Sequence, residues 1–403
     1  MSDGILVINA GSSSIKFSVY VAGTETGPGD RRHLRFVSKG QLEGIGVGIT
    51  PHFMAKDHDG AAVADETWPA IAVGGQSAVL GRLIDWIEHH LGGATLKAAG
   101  HRVVHGGGDF SAPVRLTPAV LDRLRALVPL APLHQPHNLS PIEALAEAHP
   151  DLPQVACFDT AFHATKRPEA ELFGLPRKYL EAGVRRYGFH GLSYEYIAHK
   201  LAEVAPEVAG GRVVVCHLGS GASMCAMRGG KSVDSSMGFT AVDGLMMGTR
   251  TGTLDPGVIL HLVQHDGLDG KALETLLYKE SGLLGVSGGV SNDMRVLLET
   301  DTAETRQAVD LFVYRAAKEI GALTAAIGGL DGLVFTAGIG EHSAEIRRRI
   351  CALSAWLGIR LDEAANQGHG PRLTTADSPV SAWVVPTDEE LMIARHTQAL
   401  VLG

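Results

Sequence analysis

Two arginines sit in surroundings that a charge avoids unless an anion comes to meet it. Arg102 closes a short apolar stretch just before Gly106-Gly107-Gly108, and Arg250 lies in the small, apolar loop Met246-Met247-Gly248-Thr249-Arg250-Thr251-Gly252. A planar guanidinium matches a carboxylate or a phosphate through two parallel hydrogen bonds. Each arginine therefore binds an anionic ligand or pairs with a structural Asp or Glu. His190, in Tyr187-Gly188-Phe189-His190-Gly191, and His134, in Pro132-Leu133-His134-Gln135-Pro136, occupy tight turns. Both suit catalysis, and both also suit a structural hydrogen bond. Asp159 follows the apolar run of residues 154–158, and open α/β sheets bind ligands at such strand exits. Magnesium coordination, general-base work and helix capping all remain open for it. Glu389 reads as a helix cap or as a residue reaching magnesium through water.

Phosphate needs a different device, and the chain carries two of the same kind. Residues 6–20 run apolar strand, small-residue turn, strand. Asn9, Ala10 and Gly11 leave backbone N–H groups open to phosphate, Ser12, Ser13 and Ser14 add hydroxyls, and Lys16 adds a charge. Ile15, Phe17 and Val19 alternate with Lys16, Ser18 and Tyr20, the period of a half-buried strand. His217-Leu218-Gly219-Ser220-Gly221-Ala222-Ser223 repeats the strand-turn-strand plan about two hundred residues later. Two such hairpins predict a duplicated domain, each copy gripping phosphate from one side. Gly338-Ile339-Gly340 separates a strand from a helix and can lie against a nucleotide. A Walker loop is excluded at Gly229-Gly230-Lys231-Ser232, because Cys225 stands where its first Gly is required. His101 and His105 lack the intervening Glu of a zinc protease and read as strand.

These residues need a scaffold. With 403 residues, two or three domains are expected. Fifty glycines cluster between apolar runs and predict many tight strand turns. Residues 23–33 read as a loop, 76–91 as a helix and 99–105 as a strand. Thr117-Pro118 starts a helix, and Ser140-Pro141-Ile142-Glu143 starts another with capping-box spacing. Strands follow over 154–158, 213–218, 224–227, 332–336 and 382–386. Helices are expected over 305–327 and 344–357, with a last one capped by Thr387-Asp388-Glu389-Glu390. A net charge of −9 without a basic tract argues against nucleic acid and anionic membranes as partners. The opening segment does not read as a signal peptide, no run is long enough to span a membrane, and the four cysteines lack metal spacing. A cytoplasmic enzyme is expected.

Taken together the blocks resemble the acetate kinases, of the acetate and sugar kinase/Hsp70/actin superfamily. The resemblance runs from Asn9-Ala10-Gly11-Ser12-Ser13-Ser14 through His101 to Gly107, Ala131 to His134, Phe158 to His163, Arg186 to Gly191, Met246 to Arg250 and Phe335 to Glu341, ending at Thr387 to Leu391. It implies an α/β chain of duplicated ribonuclease-H-like, actin-like domains, mixed sheets flanked by helices, with the site in the cleft between them. The expected domains are residues 1–158 with 387–403, and 159–386. It also implies a homodimer and reversible, magnesium-dependent transfer from ATP to acetate, giving acetyl phosphate and ADP, with manganese as a substitute metal. Propionate kinase is the alternative.

By the same resemblance Asn9 and Glu389 serve the metal, and Lys16, Ser12 and Ser14 the nucleotide phosphates. Arg102 and His134 meet the substrate, Asp159 is the essential acid, and His190 and Arg250 stabilise the transition state. His217, Leu218, Gly219, Ser220 and Gly221, then Asp293, Met294 and Arg295, then Gly338, Ile339, Gly340, Glu341 and His342 match ATP-binding segments. Val104, Leu133, Phe189 and Ala241 wall the acyl pocket. Ser220 and His342 stand where the family often has Asn, Met294 replaces a common Phe, and Ala241 replaces a common Pro. The smaller Ala241 leaves room for propionate. Acetate, with a carboxyl pKa of ~4.3, is already ionised and needs no general base, so Asp159 is expected to position magnesium and the phosphoryl group.

Overall fold

A computed structural model describes residues 2–11, 14–23, 33–44, 49–69 and 76–403. These fall into two compact units, Met1–Ala161 with Asp388–Gly403, and Phe162–Thr387. Asp159, expected at the head of the second domain, belongs to the first unit.

The first unit is built on eight strands: β1 (Asp3–Ala10), β2 (Ser14–Ala22), β3 (Leu34–Glu43), β4 (His52–Asp57), β5 (Ala62–Thr67), β6 (Thr95–Val103), β7 (Val114–Arg115) and β8 (Gln154–Phe158). Their order is β5-β4-β3-β2-β1-β6-β8-β7. β1 pairs antiparallel with β2 and parallel with β6, which pairs parallel with β8. β1 is apolar along most of its length because both sheet faces are covered there. The helix Gln76–His90 packs Leu80, Leu83, Ile84 and Ile87 against Leu6, Ile8, Ile15 and Phe17 on one side. The closing helix Glu389–Val401 lies against β1 and β6. That double cover corrects the alternation expected for β2: Ser18 and Tyr20 are buried as well, and only Lys16 in that strand is exposed.

The second unit has five strands, β9 (Arg212–Leu218), β10 (Ala222–Arg228), β11 (Lys231–Ser235), β12 (Gly332–Thr336) and β13 (Ser381–Val384), in the order β11-β10-β9-β12-β13. β9 pairs antiparallel with β10 and parallel with β12, and β12 pairs parallel with β13. Order and direction repeat those of β3-β2-β1-β6-β8, so the two hairpins read in the sequence are equivalent strands of a duplicated ribonuclease-H-like fold. The helix Gly191–Val204 covers one face through Tyr194, Ile197 and Leu201. The long helix Ala303–Ile327 packs on β9, β10 and β11. It starts at a Thr302/Thr305 capping box and stops at Gly328, which takes a left-handed φ of 73°. Gly229 and Gly230, both at positive φ, make the tight β10–β11 turn and nothing resembling a Walker loop.

Several expected elements are moved. The strand foreseen over 99–105 is Thr95–Val103, leaving Val104 and His105 beyond its end. The helix foreseen from Ser140 is Gln135–Ala148, with Pro136 in its first turn and Pro141 inside it. Buried side-chain hydrogen bonds from Gln135 and Asn138 fix that earlier start. Gly338-Ile339-Gly340 is not a loop but part of a short helix, Ala337–His342, and the following helix ends at Leu353.

Candidate functional site

In the first unit β6 and β8 run parallel and deliver Arg102 and Asp159 to neighbouring strand ends. Arg102 donates Nε to Asp159 Oδ1 at 3.0 Å and Nη2 to Oδ2 at 2.6 Å, a two-pronged ion pair. Its Nη1 points to Asn9 Oδ1 at 3.4 Å, and Glu389 Oε2 lies 3.8 Å from its Nε. Burial works against the Arg102 charge, but Asp159 and then Glu389 outweigh it and hold the guanidinium firmly protonated. Burial also pushes the Glu389 carboxyl up to about 7; Arg102 opposes the rise, while Asp159 and Glu390 add to it. Lys16 is near enough to pull it back slightly.

Asn9, Asp159 and Glu389 therefore gather a carboxamide oxygen and two carboxylates about the Arg102 guanidinium. Hard oxygen donors of that kind suit magnesium, so the residues present fit the ion the resemblance implies. A second group, Asp57, His58 and Asp59, sits at the β4–β5 turn and is largely exposed.

Two side chains that the sequence reading passed over support this corner. Asn138 donates Nδ2 to the carbonyl of Ala10 at 2.8 Å and accepts from the Val104 N–H at 2.9 Å. It thus ties the first turn to the end of the Arg102 strand. Gln135 exchanges hydrogen bonds with both backbone groups of His105. A buried Asn and Gln on a helix face were the available signal, hidden by placing the helix start at Ser140. His134 precedes this helix at its N-cap position, Leu133 is half-buried beside it, and Val104 is buried. Gly11 closes the first turn by donating to the Ser14 carbonyl at 2.8 Å. Ser12 and Ser13 lie outside the described residues.

In the second unit the other predicted residues meet at the second turn. His190 has φ 56°, a left-handed backbone at the head of the helix Gly191–Val204. Its ring stacks on His217 with centroids 4.2 Å apart and planes 18° from parallel. A β-carbon on Gly221 would stand 3.5 Å from His190 Nε2 and 3.7 Å from Arg250 Nη2. One imidazole and one guanidinium therefore converge on a position where only a glycine backbone intervenes. Arg250 is steadied from behind, Nη1 donating to the Ala241 carbonyl at 2.9 Å. Phe189 is buried, and its carbonyl accepts from His163 Nε2.

The remaining nucleotide segments are locally braced. Glu341 Oε1 accepts from the N–H groups of Ala337 (2.7 Å) and Thr387 (3.2 Å), holding Ala337 at φ 63°. The fully buried Arg347 donates to the Gly340 and Glu341 carbonyls. Asp293 caps the helix Met294–Glu299 and pairs with Arg295, which lowers its pKa; Met294 is buried, while the Arg295 and His342 side chains are exposed. Ser220 is exposed at the tip of the second turn.

The model of the acetokinase family matches residues 4–395. The chain belongs to the acetokinase family. An acetate kinase of Rhodopseudomonas palustris is 56% identical over 408 residues, covering all of both chains. Among solved structures, an acetate kinase of Porphyromonas gingivalis superposes with a TM-score of 0.85 at 35% identity, covering 100% of each chain. A propionate kinase of Francisella tularensis gives 0.87 at 34%, covering 98% of this chain and 99% of its own. The acetokinase family thus accounts for nearly the whole length, including both turns and the Arg102 and Arg250 blocks. Among the described residues no helix is long and apolar enough to cross a membrane.

Proposed function

We propose that the protein is an ATP:acetate phosphotransferase that reversibly makes acetyl phosphate and ADP by direct in-line displacement. The observation that carries this reading is the convergence of His190 and Arg250 on Gly221. Two cationic or polar N–H donors beside a glycine, Gly221, form a seat for an oxyanion that gathers charge. In a loose transition state that charge spreads over three equatorial phosphoryl oxygens, and donors placed there act electrostatically. The 56% identity with the Rhodopseudomonas palustris acetate kinase over the full length of both chains supports acetate as the acceptor.

The acceptor carboxylate is drawn in by Arg102, whose Nε and Nη2 edge is held by Asp159 while Nη1 reaches toward Asn9. An acetate oxygen attacks the γ-phosphorus, the bond to the bridging oxygen of ADP breaks, and no proton has to leave the acceptor. Magnesium would be held by Asn9, Asp159 and Glu389, and when bound it neutralises charge on the nucleotide phosphates. The roles of Lys16 and Ser14 toward the phosphates, and of His217 to Gly221, Asp293 to Arg295 and Gly338 to His342 toward the nucleotide, rest on the family resemblance. So do the acyl roles of Val104, Leu133, His134, Phe189 and Ala241. Trapping the product with hydroxylamine tests the reading. Acyl hydroxamate should form with acetate, ATP and magnesium together, and its absence would refute the assignment.

The working unit is proposed to be a homodimer in the cytoplasm. The helix Pro256–Gln264 has no buried residue and leaves Leu260 58% and Val263 44% exposed on one side. A second copy would cover this apolar face.

A further inference from the structure

We propose that Ser223 and Tyr194 are positioning residues that hold His190 in the tautomer carrying its proton on Nε2. His190 Nδ1 lies 2.8 Å from Ser223 Oγ, and Ser223 Oγ lies 2.5 Å from the Tyr194 hydroxyl. Ser223 and Tyr194 are both fully buried, so water does not compete for this chain of groups. The local fold supplies both partners. Tyr194 lies in the first turn of the helix that follows His190, its N–H donating to the His190 carbonyl at 3.1 Å. Ser223 is the second residue of β10, opposite His217 on β9.

The direction of the chain follows from donor strength. A phenol is a stronger acid than an aliphatic alcohol, so the Tyr194 O–H donates to Ser223 Oγ. Ser223 then turns its own proton to the Nδ1 lone pair, and the neutral ring must carry hydrogen on Nε2. Nε2 is the atom that faces the Gly221 position shared with Arg250. A phosphoryl oxygen seated there would accept from Nε2–H, whereas the other tautomer would present it with a lone pair. Stacking on His217 opposes a ring flip, and His217 is held in turn through Ser193 Oγ, 2.9 Å from its Nδ1. Neighbouring residues of one helix, Ser193 and Tyr194, thus serve the two stacked rings.

This inference rests on the phosphoryl-transfer reading for its purpose but not for its test. In protein carrying ¹⁵N-histidine, at mildly alkaline pH and without substrates, long-range ¹H–¹⁵N correlation reports which ring nitrogen is protonated. His190→Gln assigns the signal. The expected result is a protonated Nε2 and a bare Nδ1 in the wild type, with mixed tautomers in Ser223→Ala and Tyr194→Phe. Each variant should also lose roughly 2- to 10-fold in kcat, the worth of one neutral hydrogen bond, with the KM values for ATP and acetate held. A wild-type ring protonated on Nδ1 or on both nitrogens overturns the proposal, as does a tautomer unmoved in both variants. The wild-type reading does not depend on the folding of Ser223→Ala or Tyr194→Phe. If acyl hydroxamate failed to form while Nε2 proved protonated, the functional reading would fall and the hydrogen-bond assignment would stand.

Discussion

Arg102 and Arg250 differ in what surrounds them, and their substitutions should separate accordingly. Arg102 is gripped by Asp159 within a cluster that includes Glu389 and Asn9. Arg102→Ala removes the proposed counter-charge of the acceptor and should raise the acetate KM strongly. Arg250→Ala takes a donor from the side of Gly221 and should lower kcat by about 10²- to 10³-fold, as for loss of one oxyanion donor. Steady-state kinetics with acetate varied reads both; equal effects on acetate KM alone would contradict the division. Gly221→Ala is a sharper probe. Its new methyl would stand in ordinary contact, 3.5 Å from His190 Nε2 and 3.7 Å from Arg250 Nη2, so the fold accepts it. The methyl nevertheless fills the proposed seat of the oxyanion. We expect an unchanged Tm with a large loss of kcat, and full activity would show that no phosphoryl oxygen sits there.

Between elements, the decisive contact is the seating of the closing helix on β6. Gly100 lets Ile393 and Thr397 approach, and a β-carbon there would lie 2.6 Å from Ile393 Cγ2. Gly100→Ala should therefore cost about 1–3 kcal/mol of stability. Glu389 heads the same helix, so activity should fall too; urea unfolding and hydroxamate assay check both, and a neutral result would mean the helix seats elsewhere. This dependence was invisible in the sequence, where Gly100 is one glycine among fifty. Hairpins were legible because alternation and small-residue turns are local patterns: β1–β2 and β9–β10 lie where the residues put them. The start of the helix Gln135–Ala148 was not, because it depends on what Asn138 and Gln135 bond across the fold. The same holds for the site. Residue types marked Arg102, Asp159, His190 and Arg250, but the Arg102–Asp159 pair and the His190–Ser223–Tyr194 chain are products of strand register and helix phase.

Across the whole molecule, each unit carries a buried histidine kept neutral. Burial lowers His101 to about 4, and burial with the nearby Lys166 charge lowers His163 to about 3. Below the ordinary value of 6.5 the unfolded chain takes up protons that the folded one refuses, so stability falls as pH drops from there toward 4. Urea midpoints at about pH 7.5 and about pH 5 should show the loss, up to ~1.4 kcal/mol per pH unit for each histidine; equal midpoints would contradict it. Assembly is tested by Leu260→Glu, which should convert a sedimenting dimer to monomer if the exposed helix Pro256–Gln264 is the covered face. Persistence of the dimer would place the interface on another surface. The central claim, direct passage of the phosphoryl group to a carboxylate, is tested most directly by its stereochemical course. With ATP made chiral at the γ-phosphorus by oxygen isotopes, the account predicts inverted configuration in the acetyl phosphate formed, whereas retention would reveal a phosphorylated enzyme intermediate and contradict it.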